Sequence, residues 1–414
     1  MSPPRRQYTG TVILQLARYD EIWMEETFPN GQDGQLFELE LVYFQTLGTH
    51  DKTPDGLKIS GGTADWGDVE DRGNDKNRYR PRLQIKNHRE QDDFSSMVEL
   101  SQAFSLNGTA LDQALDGLMD VDQWMRAYAM ETVAGIFDGA LDHAFHNVYW
   151  YQRPDNGLIV ALPWDMDSLL QIPTNAPLWT NHWSIGKVID RPQNARLFYG
   201  HAHDIINTTA NVNYMAHWTS HYGALAGQNF AGQLNYIRNR SNYITSRWST
   251  LAPSVPFAAS SSNPLNVGAQ STATIQGTGW INVREIHLTG NPEPLALTWT
   301  KGTGANYANT WSTTIPVMSG DNAYTLEAYD YQGDLIGTSS INVISTSTNP
   351  VVDSLRITEL NYNPGDPSTA ELVVIPELDQ DDFEFIELQN TGSQPINLLG
   401  TRDRKSTRLN SSHW

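Results

Sequence analysis

In one stretch of this 414-residue chain, apolar side chains recur at three- and four-residue intervals: Val121, Trp124, Met125, Tyr128, Ala129 and Val133. That spacing predicts an amphipathic helix, and Asp120 is placed to cap its start. A polar loop follows from 137 to 147 and carries Asp138, Asp142, His143, His146 and Asn147. The period then shortens. Val148-Tyr149-Trp150-Tyr151 reads as a strand, Pro154 to Gly157 as a turn, and Leu158 to Leu162 as a second strand. This second strand opens directly onto Pro163-Trp164-Asp165-Met166-Asp167.

The same reading extends outward from this stretch. Upstream, Thr11 to Leu16 predicts a strand, Arg18 to Pro29 a short helix packed through Ile22, Trp23 and Phe28, and Gln35 to Phe44 another strand. Residues 51–82 are polar and read as a surface loop. Asp92, Asp93 and Ser95 precede a helix through Met97, Leu100 and Phe104. Downstream, helices are expected over Asn194–Ile206, Asn211–Leu225 and Phe230–Trp248. His217 and His221 stand one helical turn apart, but no Glu completes an H-E-x-x-H arrangement, so surface or packing roles are expected of them.

Helical periodicity ends at Leu251. Residues 251–263 read as a Ser/Pro linker, and 264–344 as short alternating strands punctuated by turns, with Trp299, Trp311, Ile315, Val317, Tyr324, Leu326 and Ala328 as core. This segment resembles the immunoglobulin-like β-sandwiches of secreted bacterial proteins. A second linker, 345–354, precedes 355–400, where ITELNYNP and EFIELQNTG resemble the opening of a lamin-tail domain. Residues 401–414 form a basic, apolar-poor tail that reads as non-native.

Composition narrows the function classes. The net charge of −20 and pI of about 4.8 disfavour nucleic-acid and anionic-membrane partners. There is no cysteine, hence no disulfide framework and no thiolate metal site. No apolar run reaches the roughly 18 residues that span a bilayer, and MSPPRRQYTG does not read as a signal peptide. Thirteen tryptophans among many Asn, Thr and Gly residues suit an extracytoplasmic bacterial protein.

The chemistry lies in the 118–172 stretch. In a strand-like segment, residues two apart share a side, so Asp165 and Asp167 are expected to converge. Two carboxylates and the Asn147 amide make a hard oxygen set suited to Mg2+ or Mn2+. A further Asp in the loop suits the orienting of a hydroxyl nucleophile. The plainer alternative is a pair of capping or salt-bridged aspartates after a strand.

The helix opening D-x-D-x-W, the loop Asp, the H-N before an aromatic strand and the P-W-D-x-D after the next strand together resemble the spore-coat CotH kinase family. The resemblance spans about Tyr8 to Trp248 and implies an α+β, atypical protein-kinase-like domain over 1–250, followed by the β-modules. It implies Asp138 as catalytic base, Asn147 and Asp165 as ligands of the metal that carries ATP, and Asp167 supporting that cofactor site. Ordinary kinases place four residues between base and Asn; here Asp138 and Asn147 are separated by eight, and Asp142 rivals Asp138. Against the family pattern the domain reads as N-terminally truncated. It would then lack the glycine-bearing turn and phosphate-contacting lysine, with Ala17 where a polar or acidic residue is expected. Lys58 and Lys86 are the nearest remaining phosphate contacts, with solvated lysines as the plainer reading.

The implied function is an extracytoplasmic kinase that passes phosphate from Mg-ATP to Ser or Thr hydroxyls of secreted or surface proteins, impaired in this fragment. The alternative is a surface binding or adhesion protein built on a kinase-like scaffold, with cell-surface or matrix contacts through the β-modules.

Overall fold

A computed structural model of the chain describes residues 18–39, 42–43, 64–65, 69–80, 82–137, 139, 146–179, 184–347, 350–396 and 398. The fold is α+β, as the sequence pattern predicts, with helices and several antiparallel sheets. The strand expected over Thr11–Leu16, together with Ala17, Lys58 and the 401–414 tail, lies outside the described residues.

The first half contains α1 (Glu21–Thr27), β1 (Gln35–Leu39), β2 (Val42–Tyr43), β3 (Ala64–Asp65), β4 (Leu83–Ile85), α2 (Ser95–Ser105), α3 (Gly108–Leu115) and α4 (Val121–Ala134). The hairpin strands β5 (Val148–Gln152) and β6 (Ile159–Pro163) follow, then α5 (Ser184–Ile189), α6 (Pro192–Asn207), α7 (Val212–Ala226) and α8 (Ala231–Leu251). Helices α3 and α5 are short, and the apolar pattern did not mark them.

Helix α4 starts where its cap requires, with the Asp120 carboxylate accepting from Gln123 N at 3.1 Å. It ends at Gly135, whose φ of +64° is left-handed, and a Cβ there would meet the Tyr236 hydroxyl at 1.9 Å. Only glycine suits both constraints.

Strands β4-β1-β5-β6 form an antiparallel sheet in that order. One face, through Phe37, Leu39, Val148, Trp150, Ile159 and Ala161, joins the main core with α4. The other, through Leu36, Tyr149, Tyr151, Val160 and Leu162, packs with Met24 of α1 and with Tyr19, Trp23 and Trp164.

The chain divides into two compact units, the first comprising residues 1–260, 276–312 and 326–339. Its later part contains β7 (Ala258–Ala259), paired with the end of β9 (Thr272–Thr278) at Thr278 and Gly277. It also contains β10 (Glu285–Leu288) and β11 (Thr298–Lys301), and most of β12 (Ala308–Pro316). Ile281, Ala305 and Tyr307 belong to the same core cluster as α4 and α6.

Arg196 of α6 is 3% exposed and donates to four backbone carbonyls, those of Gly279 (2.9 Å), Ala308 (3.1 Å), Trp280 (2.7 Å) and Val283 (2.7 Å). Its guanidinium lies 3.3 Å from the centroid of Trp299. Burial pushes its pKa down to about 10, which leaves it charged at neutral pH.

Beside it, Asp122 in the first turn of α4 accepts from both terminal nitrogens of Arg284 (2.7 and 2.8 Å) and lies 2.9 Å from His201 Nε2. Where the sequence suggested a tether over 251–263, the carbonyls of Ala252, Pro253 and Pro256 accept from Trp280, Tyr307 and Thr278.

The second unit comprises residues 261–275, 313–325 and 340–414. In it β8 (Leu265–Asn266) pairs in parallel with β14 (Leu335–Ser345) at Val343 and Ile344. The side chain of Asn322 in β13 (Gly320–Tyr329) bonds the carbonyls of Met318, Gly320 and Val343. After α9 (Pro350–Ser354), β15 (Leu355–Asn361) pairs with β16 (Phe385–Asn390) across α10 (Thr369–Val374), which starts on a Ser368/Glu371 capping box. Every residue of β16 is exposed, Phe385, Ile386 and Leu388 included.

Replacing Arg196 by leucine orphans four acceptors, each buried carbonyl costing about 1–3 kcal/mol. We expect Arg196→Leu to lower urea stability by on the order of 3 kcal/mol or more; a change below about 0.5 kcal/mol, the usual range of a surface substitution, would refute this role.

Asp122 adds a pH dependence. Burial alone would raise its carboxyl pKa, but the hydrogen bonds and charges of His201 and Arg284 hold it well below the usual range. A carboxylate depressed in the folded state stabilises it above the unfolded pKa of about 4 and loses that contribution as pH falls further. Asp122→Asn is therefore expected to widen the stability gap to the parent at pH 7 and narrow it near pH 3, measured as urea midpoints. An equal gap at both values would assign the effect to packing alone.

Candidate active site

The loop between α4 and β5 is anchored at both ends on one short segment. At its start, the Phe137 amide donates to the Ser168 carbonyl at 3.1 Å, while Leu170 and Gln171 donate back to Ala134 (2.9 Å) and Gly135 (3.0 Å). At its end, the Trp164 amide donates to the Asn147 carbonyl at 2.9 Å, one rung beyond the Val148–Pro163 pair of the hairpin. Segment 164–168 thus runs from one end of the loop to the other. It carries Asp165 and Asp167.

Asp138, Asp142 and His143 lie outside the described residues, while their neighbour Gly139 is described. A Cβ on Gly139 would come 2.9 Å from Glu131 Oε2 and 3.0 Å from the Ile136 methyl, so Gly139 sits against the Glu131 carboxylate. Both carboxylate oxygens of Glu131 are buried. Burial raises the Tyr128 phenol well above its ordinary value, and the nearby Glu131 charge adds to the shift.

One sequence expectation needs correction. β6 stops at Pro163, Asp165 adopts the left-handed region (φ +52°, ψ +57°), and Met166–Ser168 forms a 3-10 turn. Strand alternation therefore does not govern Asp165 and Asp167. Both are exposed, and Asp167 Oδ1 lies 3.3 Å from the Ser168 hydroxyl that donates to it.

Asn147, by contrast, is buried, with a φ of +58°. Two non-glycine residues in the left-handed region, Asn147 and Asp165, thus flank the Asn147–Trp164 bond at the open end of the hairpin. Each conformation costs roughly 1–2 kcal/mol in an ordinary L-residue and least in Asn or Asp, and such outliers concentrate at functional sites.

An aromatic wall flanks this end. Trp164 lies 5.0 Å from Tyr149 between ring centroids, and Tyr19 packs on both at 6.1 and 5.7 Å while donating to the Pro163 carbonyl at 2.8 Å. Burial raises the Tyr19 pKa. Lys86 reaches the same wall, with its ammonium 5.7 Å from the Tyr149 ring centroid and paired with Glu38 of β1.

The sequence reading passed over Glu38 and Glu131, and both had a signal. Glu38 shares the inward alternation of Leu36, and Glu131 falls on the apolar face of α4 beside Tyr128. The histidines settle elsewhere: His201 on Asp122, His203 beside Asn207, and His217 and His221 exposed against Trp218.

The donor chemistry fits a hard divalent cation. Asn147, Asp165 and Asp167 offer only oxygen, the ligand type that Mg2+ and Mn2+ prefer. Among the described residues no three His, Cys, Asp or Glu side chains group around a common point; Asn147, Asp165 and Asp167 bring two carboxylates and an amide.

The α+β fold thus carries a helix, a loop bearing an Asp, an Asn at the mouth of a hairpin and an Asp-x-Asp beyond it. The family model described as CotH kinase protein matches residues 33–244, about half of the chain, and the chain belongs to that family. No match was found among curated proteins. Among solved structures, the chain is similar to the fibronectin(III)-like modules of Clostridium thermocellum CbhA at 12% identity, covering 22% of this chain and 99% of that one with a TM-score of 0.17.

Mg2+ at a hundredfold excess over its dissociation constant is expected to stabilise the chain by about 2.7 kcal/mol, an effect that Asp165→Asn abolishes and Asp138→Asn spares. Thermal scans with and without Mg2+ test this. Equal shifts in the parent and in Asp165→Asn would remove Asp165 from the metal site.

Proposed function

We propose that the chain is an atypical protein kinase that transfers the terminal phosphoryl group of ATP to Ser or Thr hydroxyls of secreted or surface proteins. The observation that carries this reading is the pair of backbone links, Phe137 to Ser168 and Asn147 to Trp164, which fasten both ends of the Asp138 loop to the segment bearing Asp165 and Asp167. Kinase chemistry needs little covalent help from the protein. It needs the hydroxyl, the metal and the phosphates held in register.

In this reading Asp138 orients the acceptor hydroxyl and takes its proton. Asn147 and Asp165 hold Mg2+ (or Mn2+), and Asp167 supports the same position. The bound cation would neutralise charge on the transferred phosphate. The buried Asn147 is held just before β5 by its bond from Trp164, whereas the exposed Asp165 and Asp167 remain open to solvent and to a metal-bound nucleotide.

The acidic, cysteine-free and tryptophan-rich composition supports an extracytoplasmic setting. No described helix is long and apolar enough to cross a membrane. Residues 264–344 and 355–400 are read as immunoglobulin-like and lamin-tail-like modules that make surface contacts. A second reading, adhesion without catalysis, draws on the exposed apolar residues of β15 and β16, among them Ile357, Leu360 and Phe385.

The test is incorporation of labelled phosphate from Mg-ATP into the chain itself and into a panel of secreted proteins. Asp138→Asn is expected to reduce incorporation by about 10²–10⁴-fold, the range for losing a general base, while Mg-ATP still binds. A parent chain that binds neither Mg2+ nor nucleotide would leave only the adhesion reading.

A further inference from the structure

The sequence offered Lys86, with Lys58, as a nearest remaining phosphate contact and as a solvated lysine on the plainer reading; the structure holds it in place. Its own amide donates to the Leu36 carbonyl at 2.9 Å. The neighbouring Asn87 side chain accepts from Leu36 N and donates to the Gly34 carbonyl, both at 2.8 Å. These three bonds fix the backbone at position 86 against β1.

The side chain is directed as well. Its ammonium pairs with Glu38, whose side chain is only 12% exposed, and lies over the Tyr149 ring. Glu38 and Tyr149 are direct cross-strand partners, so lysine, glutamate and tyrosine occupy one sheet face. From Tyr149 the contacts continue to Trp164, 5.0 Å away between centroids, and Trp164 is bonded to Asn147 and precedes Asp165.

An exposed ion pair contributes little to stability, and a partly buried one in an apolar setting carries a desolvation cost that hydrophobic residues would avoid. Leu36, Tyr151 and Leu162 show that this face accepts apolar side chains. An ammonium also has three donors, of which the Glu38 carboxylate engages one. Other cations of the same unit are committed elsewhere: Lys187 to the carbonyls of Phe104 and Leu106, Arg153 to Asp155, and Arg240 to carbonyls including those of Thr132 and Ala176.

We propose that Lys86, oriented by Glu38, is a phosphate-binding residue of this site and takes the phosphates of a nucleoside triphosphate whose metal is held by Asn147 and Asp165. The proposal rests on the kinase reading and adds a phosphate cation that the reading left unassigned. A metal held by one carboxylate set compensates only part of a triphosphate's charge, and a fixed lysine on the same face supplies a further positive charge. Glu38 would keep the ammonium aimed before nucleotide arrives, the service that a Lys–Glu pair performs in protein kinases. Here both partners come from adjoining β-segments.

The test uses the 414-residue chain with Mg2+ and ATP as probes. Lys86→Met is expected to weaken Mg-ATP binding tenfold or more by calorimetry while leaving the thermal shift caused by Mg2+ alone unchanged. Because Lys86→Met strands the Glu38 charge, the double variant Lys86→Met/Glu38→Met guards against misfolding and is expected to bind as weakly. In the parent, Mg-ATP but not Mg2+ alone is expected to protect Lys86 from acetylation, read by peptide mass spectrometry. If Asp165→Asn loses nucleotide binding while both Lys86 variants stay within twofold of the parent, the Lys86 assignment falls and the kinase reading stands. If the parent shows neither nucleotide binding nor protection, both fall together.

Discussion

The arrangement of the site depends on the grip between α4 and the β5–β6 hairpin. Trp124 and Trp150 pack with centroids 5.3 Å apart, and the Trp124 indole donates to the Ile159 carbonyl at 2.8 Å. Next to it, the Gln123 amide bonds the backbone of Ala161 in both directions, accepting from its N–H and donating to its carbonyl. Gln123 thereby closes part of a strand edge that would otherwise stay open to pairing. This grip holds the start of α4 on β6, while the far ends that flank the loop are held by the Phe137–Ser168 and Trp164–Asn147 backbone bonds.

A second constraint surrounds this one. Charge is buried at Arg196 and partly buried at Asp122, joining α4 and α6 to the chain segments around Trp280 and Arg284. Gly200 on α6 belongs to the same junction, since a Cβ there would meet the Tyr331 hydroxyl at 2.0 Å and the Ile281 carbonyl at 2.7 Å. A helix that carries an arginine capped by four carbonyls has little freedom to slide. The rigidity of α6 is passed to α4, its principal packing partner, and so to the start of the loop. The later segment therefore contributes to the scaffold of the site as well as following it in sequence.

Much of this was legible in the sequence because it obeyed local rules. The α4 periodicity, the Asp120 cap and the change to a two-residue alternation at Val148 each matched the element that formed. The long helices α6, α7 and α8 were found within a few residues of their ends. Three kinds of feature were not. Short helices such as α3 carry too few turns for periodicity to declare itself. The left-handed turn at Asp165 overrode an alternation that the residues Leu162 to Asp167 continue in sequence. Arg196 reads as an ordinary helical cation, and nothing local announces that carbonyls more than 80 residues away will enclose it. The last kind is tertiary by nature, and a single sequence gives no access to it.

The same distinction explains why Asn147 and Asp165 are Asn and Asp. Their backbone conformation disfavours almost every side chain except glycine, asparagine and aspartate. Glycine would meet the steric demand and bring no ligand. Asparagine and aspartate meet it and add an oxygen donor at the mouth of the hairpin. A residue chosen for geometry alone, or for chemistry alone, would have had other options, including glutamate for the metal and glycine for the turn. The intersection of the two demands leaves these two types; Asn147 accepts a backbone hydrogen bond from Trp164, and Asp165 is the next residue along. Asn30 and Asp92 adopt the same left-handed region elsewhere in the chain, so the proposed function draws on the oxygen donors at the hairpin mouth and not on the backbone conformation by itself.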